Sequence, residues 1–288
     1  MTPESAYTYG FAAGQVIQER YEVVRATRRG GMSVAFEAKD LEQEETLELQ
    51  YFPAGLFENT EQAEEFGDSL RAWTQFNTPT IATVRDVLAL DDAGLVLITE
   101  SPRGEPLRER LKREPKLAPA VAVGLVREVL SGLVVLHEYG LVHGDIKPNT
   151  IFVSDGEPTL SPQLVDGGIT SALWMAKDLG DKTALIGTPY YAPAEQFGGE
   201  SPDVKSDLYN VATVLFELIA GRLPWVGQNF LEVFQAKISK QVTSLRGAAR
   251  PVEITDELER AVTAGIQADP AKRFPTAEEF LAAIEGAA

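Results

Sequence analysis

The stretch HGDIKPNTIFVSDGEPTLSPQLVDGG, residues 143–168, decides the fold. Two short apolar runs, TIFV and PQLVD, read as the strands of a short β-hairpin. An acidic residue stands near each end, Asp145 before the first strand and Asp166 at the close of the second. Long apolar-faced stretches lie on either side, 118–139 and 206–221, with the spacing of buried helices. Shorter amphipathic patterns at 255–267 and 276–285 predict two further helices, so the second half of the chain reads as mostly helical around one hairpin.

The first half reads differently. Residues 21–52 alternate apolar and polar runs around Gly30 and Gly31, as expected for three antiparallel strands. ENTEQAEEFGDSLRAWTQF places Phe66, Leu70 and Trp73 at helical spacing, and TVRDVLAL and GLVLITE return to strand patterns across the turn DDAG. At 288 residues and 44% apolar content, the chain can bury a substantial core in one large domain or two lobes. A formal charge of −17 makes nucleic acid and anionic membrane surfaces unfavourable partners. The chain has no cysteine, which rules out disulfides and thiolate metal sites. The stretch MTPESAYTYGFAAGQ lacks the basic and apolar regions of a signal peptide. The apolar runs around Arg127, Glu128 and Glu217 read as buried helices rather than membrane spans. A cytoplasmic location, with no membrane segment within this chain, is the resulting expectation.

The order and spacing of these pieces resemble the protein kinase domain, particularly bacterial serine/threonine kinases, from about residue 20 to the C-terminus. RRGGMSVAFEAKD resembles the glycine-rich loop and second strand, HGDIKPNT the catalytic loop, LVDGG the metal-binding segment and GTPYYAPAEQ the end of the activation segment. SDLYNVATVLFELIAGRLPW and DPAKRFPTAEEF resemble the central and closing segments of the large lobe. The resemblance implies a bilobal α+β fold: an N-terminal extension (1–19), a β-rich N-lobe with one main helix (20–102) and a helical C-lobe (103–288).

Each chemical part of the family can be followed onto this chain. Asp145 matches the base that accepts the substrate hydroxyl proton, Lys147 the lysine that steadies the transferring phosphate, and Asp166 the magnesium-binding aspartate. Structural positions persist as well: Glu195 and Arg273 match a buried ion pair, and Asp207 the aspartate that holds the catalytic-loop backbone.

Other positions depart. Gln50 replaces the lysine that holds the α and β phosphates, and no lysine or arginine occurs between Lys39 and Arg71 to take its place. The glycine-loop positions carry Arg28, Gly30 and Ser33, with Gly31 adjacent. Arg28 and Arg29 read either as solvated surface cations or as cations leaning over the phosphates. Near the partner-glutamate position stands Ser69, with Glu64 and Glu65 one turn earlier, which read as solvated. In the hinge, Thr99 takes the gatekeeper position and the Glu100 carbonyl can still accept from adenine. Pro102 lacks the N–H that would donate. Thr150 replaces the asparagine of the second magnesium site, with Asn149 one residue early; Gly144 replaces the arginine before Asp145, and Gly167 the phenylalanine after Asp166. His143 reads as a packed loop residue.

The resemblance with these departures implies a pseudokinase, inactive or weakly active, with no certain cofactor and at most weak ATP and magnesium binding. It would act as a signalling scaffold or regulator by binding a protein, such as a signalling kinase or its substrate. Thr170, Ser171, Thr183 and Thr188 would offer a partner kinase phosphorylatable hydroxyls. The alternative is an atypical ATP-dependent serine/threonine kinase using Asp145, Lys147 and Asp166.

Overall fold

The computed structural model describes residues 10–29, 32–91, 94–156, 160–176, 190–225, 227, 230–239 and 243–287. The chain divides into two compact units, the first running to Gln75 with Thr83–Ser101, the second comprising Phe76–Ala82 and Pro102 onward.

The first unit is a six-stranded antiparallel sheet, formed by β1 (Val16–Ile17), β2 (Tyr21–Arg29), β3 (Val34–Asp40), β4 (Thr46–Phe52), β5 (Val84–Ala89) and β6 (Leu95–Glu100), in the order β1-β2-β3-β4-β6-β5. Strand periodicity separates the side chains of β4 into two sets, Leu47, Leu49 and Tyr51 on one face and Glu48, Gln50 and Phe52 on the other. The first set joins Tyr21, Val23, Phe36, Ala38, Val96 and Ile98 in an apolar core. Phe11 and Ile17 complete that core, and the Phe11 ring lies 5.5 Å from Phe36 and 4.9 Å from Tyr51. The described part of the N-terminal extension is therefore built into the N-lobe. Gly10 makes this approach possible: its φ is +127° and a Cβ there would stand 2.5 Å from the Phe36 ring.

Helix α1 (Thr60–Arg71) is capped by Asn59, whose side chain accepts from the Gln62 amide at 2.9 Å. Its buried stripe includes Ala63, Phe66 and Leu70, and Phe66 meets Phe52 edge-on at 4.9 Å.

The second unit contains the small sheet β7 (Glu105–Pro106), β8 (Ile151–Ser154) and β9 (Ser161–Leu164), in sequence order. Its helices include α2 (Leu107–Arg113), α3 (Pro119–Glu138), α4 (Ile169–Met175), α5 (Val204–Ala220), α6 (Phe230–Ile238), α7 (Asp256–Gly265) and α8 (Ala277–Ile284). Residues 76–82 belong here because their backbone is bonded to β9: the Leu164 amide donates to Thr80 and the Ala82 amide to Leu164, each at 2.8 Å.

Helix α5 is buried from Ser206 to Ala220, the signature of a central helix. An Asp203–Ser206 capping box starts it, and Gly221 in the left-handed conformation ends it. Helices α3 and α7 pack against it, and α8 packs against all three. Helix α3 is long and apolar enough to cross a membrane by length and composition, but Val123, Val126, Leu130 and Leu133 are buried in this core.

Candidate functional site: the catalytic loop and the polar face of the N-lobe

The turn after α3 leads into the catalytic loop, whose backbone is held by one carboxylate. Asp207 on α5 accepts from the His143 amide at 2.9 Å, the Gly144 amide at 2.8 Å and His137 Nε2 at 3.1 Å. His143 is fully buried, and its Nε2–H donates to the Val165 carbonyl at 3.0 Å while Nδ1 accepts from the Asp145 amide at 3.3 Å. One ring nitrogen donates and the other accepts, so the imidazole is neutral; burial pushes its pKa down in agreement. His143 is thus a packed loop residue.

Lys147 Nζ bonds Asp145 Oδ2 at 2.6 Å, and both side chains are partly exposed. Buried Thr150 donates its only hydroxyl proton to the Asp145 carbonyl at 2.7 Å and accepts from the Lys147 amide at 3.1 Å. Its hydroxyl therefore braces the loop backbone. Asn149, one residue earlier, points to the exposed side.

Asp166, partly exposed, has φ +63°, in the left-handed region that a non-glycine residue adopts with strain. Gly168 (φ +76°) then turns the chain into α4, and its amide donates to the His143 carbonyl at 3.1 Å. Ser171 on α4 donates to the Val142 carbonyl at 3.2 Å. At Gly144 (φ +83°) a Cβ would lie 2.7 Å from Ser171 Oγ and 3.3 Å from Pro202 Cβ, so the absent arginine side chain leaves room for α4 against the loop. Among the described residues no cluster of three or more His, Asp and Glu could by itself hold a metal ion. Thr183 and Thr188 lie outside the described residues, while Thr170 and Ser171 are on α4 and partly buried.

Farther along the C-lobe, Arg273 is sealed from solvent and forms two bonds with Glu195, at 2.6 and 3.0 Å. Its remaining donors reach the carbonyls of Gln267 at 2.7 Å and Ala268 at 3.2 Å. Lys237 on α6 is also buried, donating to the carbonyls of Tyr190 at 2.9 Å and Ala192 at 2.6 Å among the rings of Phe197, Tyr209 and Trp225. Desolvation lowers its pKa to about 7; Glu195 opposes the shift and Arg273 adds to it. Arg108 on α2 and Tyr191 both bond Glu217 of α5, and burial raises the Tyr191 pKa.

On the polar face of the N-lobe sheet, Gln50 Nε2 donates to Ser33 Oγ at 2.8 Å. Arg28 is ion-paired with Glu48, which also accepts from Thr27 Oγ1 at 3.3 Å. Arg28 is thus partly buried in an ion pair, while Arg29 is exposed. Thr99 stands opposite Glu48 on β6, and the Glu100 amide donates to the Thr83 carbonyl at 3.0 Å. Glu64 and Glu65 lie on the exposed face of α1 with Ser69 half-buried. Gly30 and Gly31 lie outside the described residues. In the C-lobe unit, Pro102 precedes Arg103, whose amide donates to Gln163 Oε1 at 2.9 Å.

The family model of the protein kinase domain matches residues 21–283, nearly the whole chain. The chain belongs to the protein kinase family. Its bilobal kinase fold also matches the crystal structure of the Mycobacterium tuberculosis PknI kinase domain, with a TM-score of 0.73 and 21% identity over 97% of this chain and 100% of that one. The kinase domain is 34% identical over 205 residues to the serine/threonine-protein kinase PkaB of Streptomyces coelicolor, covering 69% of this chain and 47% of that protein. It is 27% identical over 275 residues to the serine/threonine-protein kinase PknB of Mycolicibacterium smegmatis, covering 93% of this chain and 43% of that protein. The kinase domain spans about half or less of the length of these two curated relatives.

Two features of the kinase domain escaped the sequence reading. Glu48 sits in an ordinary alternating strand, and only its cross-strand neighbours reveal its partner. Lys237 did leave a signal, because it falls four residues after buried Val233 on the inward side of FLEVFQAKI.

Proposed function

We propose that this kinase domain is a pseudokinase that acts in cytoplasmic signalling as a scaffold or regulator by binding a protein, either a signalling kinase or its substrate. The observation that carries the reading is Gln50. It stands where the family's phosphate-holding lysine would be, has no formal charge, and engages Ser33 of the adjoining loop. Two further observations support it: Thr150 spends its hydroxyl proton within the catalytic loop, and buried Glu48 adds a carboxylate to the face bearing Gln50. These donor sets do not fit a magnesium triphosphate.

The intact framework favours binding. Asp207, Glu195 and Arg273 keep their networks, so the C-lobe can present a defined surface without turnover. Calorimetric titration with ATP to millimolar concentration, with and without magnesium, should give no binding heat. Magnesium-dependent binding would refute the nucleotide-free reading.

One observation favours the alternative of an atypical serine/threonine kinase: Lys147 remains bonded to Asp145. That alternative requires an ATP-dependent phosphorylation abolished by Asp145→Asn. Equal inertness of the two proteins eliminates it.

A further inference from the structure

The polar face of the N-lobe sheet contains a conflict that its arginines resolve. Glu37 on β3 stands directly opposite Glu48 on β4, and like charges in a cross-strand pair repel. Each has its own arginine from β2: Arg25 reaches Glu37 at 2.5 Å, and Arg28 reaches Glu48. The two pairs differ in setting. Arg25 is largely exposed, whereas the Glu48 side chain is only 6% exposed and that of Arg28 24%. Reduced solvent screening strengthens the inner pair.

Arg28 stands at the first glycine-loop position, and Glu48 lies two residues before Gln50 on the same face. The loop and the lysine strand are where protein kinases hold nucleotide phosphates. A guanidinium is well suited to bidentate phosphate binding. Here its fork is turned onto a carboxylate.

We infer that Glu48 cages Arg28, suppressing a latent polyphosphate-binding site on the N-lobe. This deepens the pseudokinase reading and rests on it: the missing lysine removes one phosphate contact, and Glu48 neutralises the cation that could replace it. Glu48→Gln should remove the negative charge that neutralises Arg28 and relieve repulsion with Glu37, while its amide can still bond across the strands.

The test is calorimetry on the full 288-residue chain with ATP and, separately, inorganic tripolyphosphate, without magnesium. The unmodified protein, Glu48→Gln, Glu48→Ala and the double variant Glu48→Gln/Arg28→Gln would be compared, with folding checked by circular dichroism. Both single variants should bind tripolyphosphate at least about tenfold more tightly than the unmodified chain, the scale of a charge-assisted hydrogen bond. The double variant should lose that gain. ATP should follow the same order, because the shared feature is its phosphate chain.

No gain in either single variant overturns the inference while leaving the pseudokinase reading intact. A gain retained in the double variant also overturns it, by showing that Arg28 is not the ligand. Unfolding of both single variants would assign Glu48 to N-lobe stability and likewise overturn the cage. Tight ATP binding by the unmodified chain would defeat the nucleotide-free reading instead, with the variant ratio still deciding the role of Glu48.

Discussion

Lys237 should make C-lobe stability depend on pH in a direction opposite to ordinary alkaline destabilisation. In the folded chain, burial lowers its pKa from 10.5 to about 7, despite two carbonyl acceptors and three surrounding rings. That fall corresponds to roughly 5 kcal/mol of lost preference for the ammonium form, an upper estimate for a buried group. Below pH 7 the lysine is protonated in both states and contributes no slope. From pH 7 towards 10.5 the folded amine is neutral and the unfolded one remains charged, so unfolding takes up a proton. Stability then rises with pH by up to about 1.4 kcal/mol per unit from this group. Lys237→Met removes the titration while keeping an apolar stem of similar length. Urea unfolding of both proteins, followed by circular dichroism from pH 6 to 9.5, isolates the lysine's contribution in their difference. The unmodified protein should gain stability relative to the variant above pH 7. A flat or falling difference across that range would refute a desolvated lysine at this position.

Further consequences concern the loop and its supports. Arg273→Ala leaves the Glu195 carboxylate without its two guanidinium bonds and should cost about 3–5 kcal/mol in urea unfolding; a loss below about 1 kcal/mol would contradict the buried pair. Gly144→Ala places a Cβ against Ser171 at φ +83° and should cost about 1–3 kcal/mol, with faster amide exchange in α4. Unchanged stability and exchange would show that the loop and α4 do not constrain one another. Thr150→Val keeps the shape but loses the bonds to Asp145 and Lys147, and should cost about 1–3 kcal/mol. An unfolding midpoint equal to that of the unmodified protein would exclude this bracing role.

The sequence by itself determined the kinase fold and its two lobes, because strand alternation, helical periodicity and six ordered segments all pointed to the same architecture. It also determined that a lysine was missing, since no register of TLELQYF supplies one. The need for glycine at position 104 came from space: a Cβ would stand 2.1 Å from the Val153 carbonyl. Only tertiary structure paired Glu48 with Arg28, a contact across 20 residues of chain that depends on strand register and on two irregularities in β2. Likewise, Phe11 looked like part of an extension until its ring lay against Phe36 and Tyr51, and the carbonyl partners of Lys237, Tyr190 and Ala192, come from a distant stretch of chain that only the fold brings against α6. Periodicity reports which face of an element turns inward. The partner, and hence the charge balance, is set by the neighbouring element that the fold brings to that face.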